Sequence, residues 1–571
     1  MKKFVSYVCT VVFLSALFTN CFAQTSGCKD TLAFNSQFYS PLGSTYVPVD
    51  SWIYPALVRL QGLGYLDTAY LGLRPWTRWS IVHMLGETAD KMADVDESDE
   101  ACTIYHAVER ELEPDVDQFN GPREPHAVLE SAYTRMLGIA GTPLRDSFHL
   151  GQTITNDYGR PYEEGFNNIT GFSTRSEYKR FALYFRGEYQ HAPSASGYSN
   201  QLSTLLSNND GIAFADNPHQ DTIPSGPIPS TNDFRIVEAN VSYLLLNHEI
   251  SFGKSDHWLG PAQGGSLAYS NNSENIYAFQ IDRVEPLRIP LLSRFTGPFR
   301  YEFFVGSLKG HSVPNAPWMH LEKVSFKPTE NLEFGFERTV IWGGKGHVPI
   351  TIHSFLKSFF SVANVSAQEK FSRDDPGARF GAFDFSYRLP YLRKWLTLYT
   401  DSFAHDDVNP ISAPRRAAIR PGIYLSHFPG LKQLDFRMEG VSTDPPTSRS
   451  NAGQFLYYEQ VQKQGYTNKG FIMGDWIGRE SKGGQAWITY HLSPEEQVQI
   501  SYRNAKAAKD FIPDGTTQNA FLVSAIKRVH TDFEVRGWLQ YERWKAPVYK
   551  PGQQSDTSIA VQVTWFPKYT K

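Results

Sequence analysis

Once the first two dozen residues are set aside, the chain has no apolar run of the length a membrane-crossing helix needs, which is about 18 residues. That excludes a helical membrane protein and leaves a strand-built one open. Cysteine is scarce. Of four, Cys9 and Cys21 fall in the leader described below, and only Cys28 and Cys102 remain. Two cysteines do not make a four-ligand structural zinc site of the usual kind. In an oxidising compartment they can pair, and the alternative of two free thiols stays open. A basic surplus is also missing. The formal charge is −4, and −6 without residues 1–23, which carry Lys2 and Lys3 and no acid. Nucleic acid is therefore not an expected partner. Catalytic signatures are absent too: there is no His-Glu-x-x-His and no Gly-x-Ser-x-Gly. Gly260 to Ser266 is glycine-rich but lacks the Gly-Lys-Ser/Thr ending of a phosphate loop. No catalytic residue, metal or cofactor is assigned, and the expectation is a protein that is not an enzyme.

What is present begins with the leader. Lys2 and Lys3 precede the short apolar stretch Phe4 to Phe18, and Cys21-Phe22-Ala23 supplies small residues at a cleavage site. This reads as a secretory signal peptide over 1–23, with the mature chain starting at about Gln24. A tail over 24–45 follows. Residues 46–140 read as a helical domain. Asp50 or Ser51 is placed to cap a helix bearing Ile53, Leu57 and Leu60 on one face. Thr77 is placed to cap a second, with Ile81, Val82, Met84 and Leu85. A third runs from about Ser98 until Pro114 stops it, and Ala127 to Leu137 reads as a fourth.

From about 148 to 566 the period changes to two. Phe299, Tyr301, Phe303 and Val305 alternate with Arg300 and Glu302. Phe383, Phe385 and Tyr387 alternate with Asp384, Ser386 and Arg388. Ile559, Val561, Val563 and Trp565 alternate with Gln562 and Thr564. Alternation gives each strand one apolar and one polar face. A soluble sandwich and a membrane barrel share that pattern, so the connections decide. Asn247-His248, Lys327 to Asn331, Phe428 to Lys432 and Ser493 to Glu496 are short turns. Between them lie long polar segments, roughly 191–232, 254–276, 343–378, 402–418, 441–484, 504–519 and 543–557. Short on one side and long on the other is outer-membrane barrel topology, with room for about 16–20 strands. The aromatic content, 14% of the chain, suits the girdles of such a barrel. The polar faces mix signs, with Arg300, Glu302, Asp384, Arg388, Arg503, Arg536 and Glu542 pointing inward. Mixed signs favour a braced, closed lumen over a single-sign pore.

Three stretches resemble the Wzi family of capsule assembly proteins. The first is Val47-Pro48-Val49-Asp50-Ser51-Trp52-Ile53-Tyr54-Pro55-Ala56-Leu57, continuing to Gly72-Leu73-Arg74-Pro75-Trp76-Thr77-Arg78. The second is Trp258-Leu259-Gly260-Pro261 through Ser270-Asn271-Asn272 to Arg294-Phe295-Thr296-Gly297-Pro298. The third is Ile477-Gly478-Arg479-Glu480 through Tyr502-Arg503-Asn504 to Gln540-Tyr541-Glu542-Arg543-Trp544. The resemblance implies an antiparallel outer-membrane β-barrel of about 18 strands with a small N-terminal periplasmic helical bundle. It also implies a lectin-like role, binding capsular or exported polysaccharide and attaching it to the cell surface. Outer-membrane lipid is the expected surrounding, and polysaccharide export machinery or peptidoglycan are further expected partners. The alternative is a porin or polysaccharide export channel.

Candidate polysaccharide contacts come from residue chemistry. Indole and phenol faces stack on sugar C–H surfaces, amides bond hydroxyls, and a guanidinium suits the carboxylates of acidic sugars. Trp258, Tyr269, Asn271 and Asn272 form one such group and Trp476 with Arg479 a second. Each also has a packing reading: Trp258 as a girdle or core residue, and Arg479 as the partner of Glu480. Arg74 and Arg78 read as packing and capping groups of the helix pair.

Overall fold

The computed structural model describes residue 28 and residues 42–120, 125–214, 220–362, 365–405, 416–445 and 453–567. The expected signal peptide lies outside them, as does most of the tail.

Eighteen strands close into one antiparallel sheet, each paired with its sequence neighbours and the last with the first. In chain order they are β1 (His126–Ala140), β2 (Gly165–Tyr178), β3 (Phe181–Ala192), β4 (Thr231–Leu245), β5 (His248–Lys254), β6 (Tyr277–Arg283), β7 (Phe299–Ser307), β8 (Trp318–Thr329), β9 (Leu332–Trp342), β10 (Ala378–Arg388), β11 (Leu396–His405), β12 (Ala418–Leu425), β13 (Leu434–Ser442), β14 (Ser481–Ser493), β15 (Glu496–Ala507), β16 (Thr516–Val529), β17 (Phe533–Ala546) and β18 (Lys550–Trp565). Closure leaves no unpaired edge, which a strand in lipid requires. Alternation works as expected. Phe172, Leu183, Phe252, Val324, Phe336, Ile488, Ile500, Phe521, Leu539 and Ile559 point outward and are exposed, while Arg300, Glu302, Asp384, Arg388, Arg503 and Glu542 point inward and are buried. The inward charges are paired: Arg300 with Asp282, Asp384 with Lys323 at 2.6 Å, Arg388 with Asp67 at 2.5 Å, and Arg503 with Glu542 at 3.2 Å. An ion left unpaired there would cost several kcal/mol, roughly 3–5, so pairing is obligatory.

Connections are short at one end of the barrel and long at the other. Short turns such as Leu246-Asn247 and Pro494-Glu495 sit at the first end. The segment 543–557, expected as a long loop, is instead a tight hairpin between β17 and β18. Alternation carries through Trp544 and Ala546, which pack inward.

The helical domain caps the short-turn end. It holds α1 (Ile53–Gly62), α2 (Arg78–Met92) and α3 (Glu100–Asn120). Leu57, Leu60, Leu66, Ile81, Leu85, Tyr105, Val108 and Leu112 form its core. Thr77 caps α2 by accepting from the Ser80 N–H at 3.1 Å. Cys28 is disulfide-bonded to Cys102 on α3, tying the tail to this core. Its polar groups reach inward-facing residues all around the wall. Thr45 meets Glu177, Tyr46 meets Asp282, Asp67 meets Arg388, and the Leu71 and Gly72 N–H groups both donate to Glu333 at 2.9 Å.

Three helical expectations are corrected. Ala127 to Leu137 is not a fourth helix but most of β1, so the barrel begins at His126 rather than near 148. Its apolar spacing fits both periods, and pairing with β18 on one side and β2 on the other decides for strand. Pro114 does not end α3, which continues to Asn120. Asp115, one residue beyond, is gripped by Arg78 and Arg175 and keeps the chain on its helical path. Asp50 does not cap α1. It pairs with Arg186 on β3 at 2.8 Å. Burial works against its charge, and that guanidinium overcomes it and holds the carboxyl down at about 2.

Candidate functional site

Protein blocks the lumen toward the long-loop end, while a cavity of about 980 Å³ remains between the helical domain and the wall, lined by Glu111, Tyr133, Arg175, Arg186, Arg528 and Arg536. Segments 141–164, 255–276 and 453–480 fold inward from the long-loop end. Leu259, Leu267, Tyr269, Tyr457, Tyr466, Met473 and Trp476 pack there against wall residues including Phe304, Leu321, Ile341, Phe380 and Phe403. The largest apolar cluster among the described residues thus lies inside the barrel. Polar groups fasten the plug to the wall. Arg420 on β12 bonds Glu439 at 2.8 Å and Asp475 at 2.6 Å. Glu439 also accepts from the Gln263 and Gly264 N–H groups, and Asp401 from that of Leu267. Arg503 donates to the Thr153 carbonyl.

All six candidate sugar-binding residues are buried inside this plug. Trp258 is 7% exposed. Its indole N–H donates to Ala262 O at 3.0 Å, and Arg74 lies over its ring. The Arg74 and Trp258 backbones also pair, which welds the helical domain to the plug. Tyr269 stacks edge-on against His257 and Phe304. Asn271 accepts from the Tyr158 N–H through its backbone, and Asn272 ties Asn156 to Ile472. Trp476 donates to Gly264 O at 2.7 Å beneath Arg503. Trp258, Asn272 and Trp476 have the chemistry of sugar contacts but direct it to the plug's own backbone, which needs partners once buried; Tyr269 Oη and Asn271 Oδ1 are buried without a hydrogen-bond partner.

Arg479 is the centre of a latch. It bonds Asp210 at 2.7 Å rather than its neighbour Glu480, and the rings of Phe148, Tyr458 and Phe511 surround it. Asp210 follows α4 (Asn200–Asn209) and also holds His149 Nε2 at 2.9 Å, while Asp146 holds His149 Nδ1 at 3.0 Å. Burial opposes a charge on His149, but the two carboxylates outweigh it and push it up to about 9. Burial likewise opposes the Asp210 charge, and His149 with Arg479 prevails, holding its pKa low. One ion cluster therefore joins three of the long loops.

Above the latch an open cleft of about 310 Å³ lies at the long-loop end. Thr142, Arg145, Glu163, Glu164, Ser194, Ser196, Tyr198, Tyr549 and Lys550 line it. Tyr549 stands between Trp544, stacked at 5.9 Å and 8°, and Tyr198, edge-on at 4.8 Å. Arg145 pairs with Glu163, Tyr198 donates to Asp146 at 3.3 Å, and Lys550 donates to Thr142. The exposed hydroxyls of Ser194 and Ser196, the exposed Glu164 carboxylate and the half-buried Lys550 ammonium can bond the hydroxyls of a ligand at the mouth of the cleft, beside the edge of the Tyr549 ring. Sequence reasoning missed this site because Tyr198 and Tyr549 fall in segments read only as long polar loops. The alternating run through Trp544 was the signal that the second is a hairpin tip.

Eighteen closed strands, an apolar outer belt and a lumen blocked by inward-folded loops define a plugged β-barrel of the outer membrane. The capsule assembly protein Wzi family model matches residues 136–559, and the chain belongs to that family. A solved structure from Escherichia coli, Wzi, described as a carbohydrate-binding barrel involved in group 1 capsule assembly, superposes with a TM-score of 0.66 at 16% identity. The match covers 92% of this chain and 100% of that one. An uncharacterized 55.8 kDa protein in the cps region of Klebsiella pneumoniae is 26% identical over 163 residues. That stretch is 28% of this chain and 31% of that protein, so the match spans about a third of that relative's length.

Proposed function

We propose that this protein binds surface polysaccharide, capsular or exported, and holds it at the outer face of the outer membrane. The observation that carries this reading is the cleft of Tyr198, Tyr549, Glu163, Glu164 and Lys550 at the long-loop end, above a lumen closed by protein. The family's role in capsule assembly and the carbohydrate binding of the E. coli barrel support the ligand class. The long loops face outward, and the helical domain is periplasmic, where it is placed to meet export machinery or peptidoglycan. The protein binds rather than catalyses. Its plug favours retention of polymer over passage, against a porin or export channel.

The test is binding of the producing cell's own surface polysaccharide to purified, detergent-solubilised protein, compared with Tyr549→Ala and Lys550→Ala. Saturable binding that weakens in both variants supports the cleft. Binding unchanged in both moves the site elsewhere on the loops. No binding by the unaltered protein refutes the reading.

A further inference from the structure

The segment between β9 and β10 carries α5 (Ile352–Phe360), which lies on the outside of the barrel. Its position follows from the wall residues it touches. Arg338 on β9 is two residues from Phe336, so both project from the outer face, and Phe336 is 43% exposed. Arg338 donates to Phe359 O at 2.8 Å, Ser358 O at 3.1 Å and Ser361 O at 2.6 Å. It thereby satisfies the carbonyls that a helix C-terminus leaves free. On β8, His320 shares the outer face with Val324. It bonds Ser358 Oγ at 3.0 Å and packs between Phe355 and Phe359. Phe359 also meets Phe303 on β7, and Phe355 meets Trp342. At the other end Thr351 and Ser354 form a capping box. The helix is thus fixed at both ends and covers a group of outward-facing polar side chains that lipid would not tolerate.

Its remaining surface is divided in two. At 100° per residue, Ile352, Leu356 and Phe360 fall on one stripe, and all three are exposed, at 80%, 46% and 69%. Val362 continues the stripe at 68%. His353 and Lys357 fall beside it, with Lys357 bonded to Asp374 at 3.0 Å. The circumference therefore has three sectors: one against the barrel, one apolar and uncovered, and one polar. The apolar sector borders the wall's own lipid-facing belt, since Phe336 and Val324 lie directly below the covered residues on β9 and β8.

We propose that α5 is a lipid-contacting anchor of the loop-side leaflet. Ile352, Leu356, Phe360 and Val362 enter the acyl-chain boundary, and His353 and Lys357 face the headgroups. The division into apolar and polar sectors suits an in-plane interfacial helix, and continuity with the lipid-facing belt makes the bilayer its occupant. A protein partner on the same stripe is the competing outcome. The helix widens the barrel's lipid contact on the β7–β10 side only, so the protein sits asymmetrically in the leaflet.

The experiment uses full-length protein in phosphatidylcholine vesicles, with nitroxide labels on Leu356→Cys, Phe360→Cys and His353→Cys. Cys28 and Cys102 are occupied by their disulfide and do not take label. Collision rates with oxygen, which concentrates in lipid, and with a water-soluble nickel chelate are then compared. Oxygen collisions should exceed chelate collisions at 356 and 360, with the order reversed at 353. Chelate collisions dominating at all three positions would overturn the proposal by placing the stripe in water. Spin–spin broadening at 356 and 360, with neither reagent reaching them, would overturn it in favour of a second copy of the chain.

Discussion

Raising the pH should loosen the plug, and His149 sets where. Its folded pKa, about 9, stands above the ordinary 6.5 because Asp146 and Asp210 hold its protonated form against the cost of burial. A group whose pKa is raised on folding stabilises while protonated. The contribution is complete below about pH 6.5 and is lost as pH rises through about 9. A displacement of that size corresponds to about 3 kcal/mol, or a few hundredfold in the closed-to-open equilibrium of the plug. His149 is fully buried, so little solvent screening reduces the figure. The assay is hydrogen exchange of the backbone around Asp146, Asp210 and Arg479, corrected for the intrinsic pH dependence of exchange. Protection should fall between pH 7 and 10 in the unaltered protein. In His149→Gln it should be low and flat across that range. A fall of the same size in His149→Gln would refute the reasoning, as would undiminished protection in the unaltered protein at pH 10.

Asp210→Asn should weaken the same latch by about 3–5 kcal/mol, since it strips a shared counter-charge from buried His149 and Arg479; proteolysis of the loops with the barrel intact on a heat-modifiability gel would show it. The unaltered protein should stay closed in planar-bilayer conductance at neutral pH, whereas deletion of 256–275 should produce stable open steps, because that segment fills the lumen at Leu259, Leu267 and Tyr269. Gly465→Ala should cost the plug about 1–3 kcal/mol, because φ is 52° and a Cβ would lie 1.9 Å from Tyr457 O; increased cleavage within 453–480 is the readout. Cys102→Ser should cost the helical domain up to about 4 kcal/mol on the chain-entropy account of a disulfide closing a long loop, seen as a lower melting temperature for that domain alone.

The barrel was legible in the sequence because period-two alternation and alternating loop lengths are local signals that survive in most strands. The face of each residue was read correctly along β7, β10 and β18 for that reason. Ala127 to Leu137 was not legible, since its pattern satisfies both periods and only pairing with strands far along the chain decides. The site was largely illegible. Trp258, Tyr269, Trp476 and Arg479 have the chemistry of sugar contacts, but whether an inward loop covers itself or faces solvent depends on how three loops interdigitate. Arg479 illustrates this. Its sequence neighbour Glu480 was the obvious partner, yet the chain turns through a positive φ at Glu480 and delivers the guanidinium to Asp210.

The seam between β1 and β18 orders the birth of the molecule. The first stave of the cylinder follows the helical domain, and its second neighbour is the last stave made, so the wall cannot be zipped shut until almost the whole chain exists. In the closed barrel the helical domain holds salt bridges to strands on separate arcs of the wall, Asp50 to Arg186 on β3, Asp67 to Arg388 on β10 and Arg59 to Asp435 on β13. It is suited to act as a hub around which early and late staves are gathered before the final row of hydrogen bonds locks them.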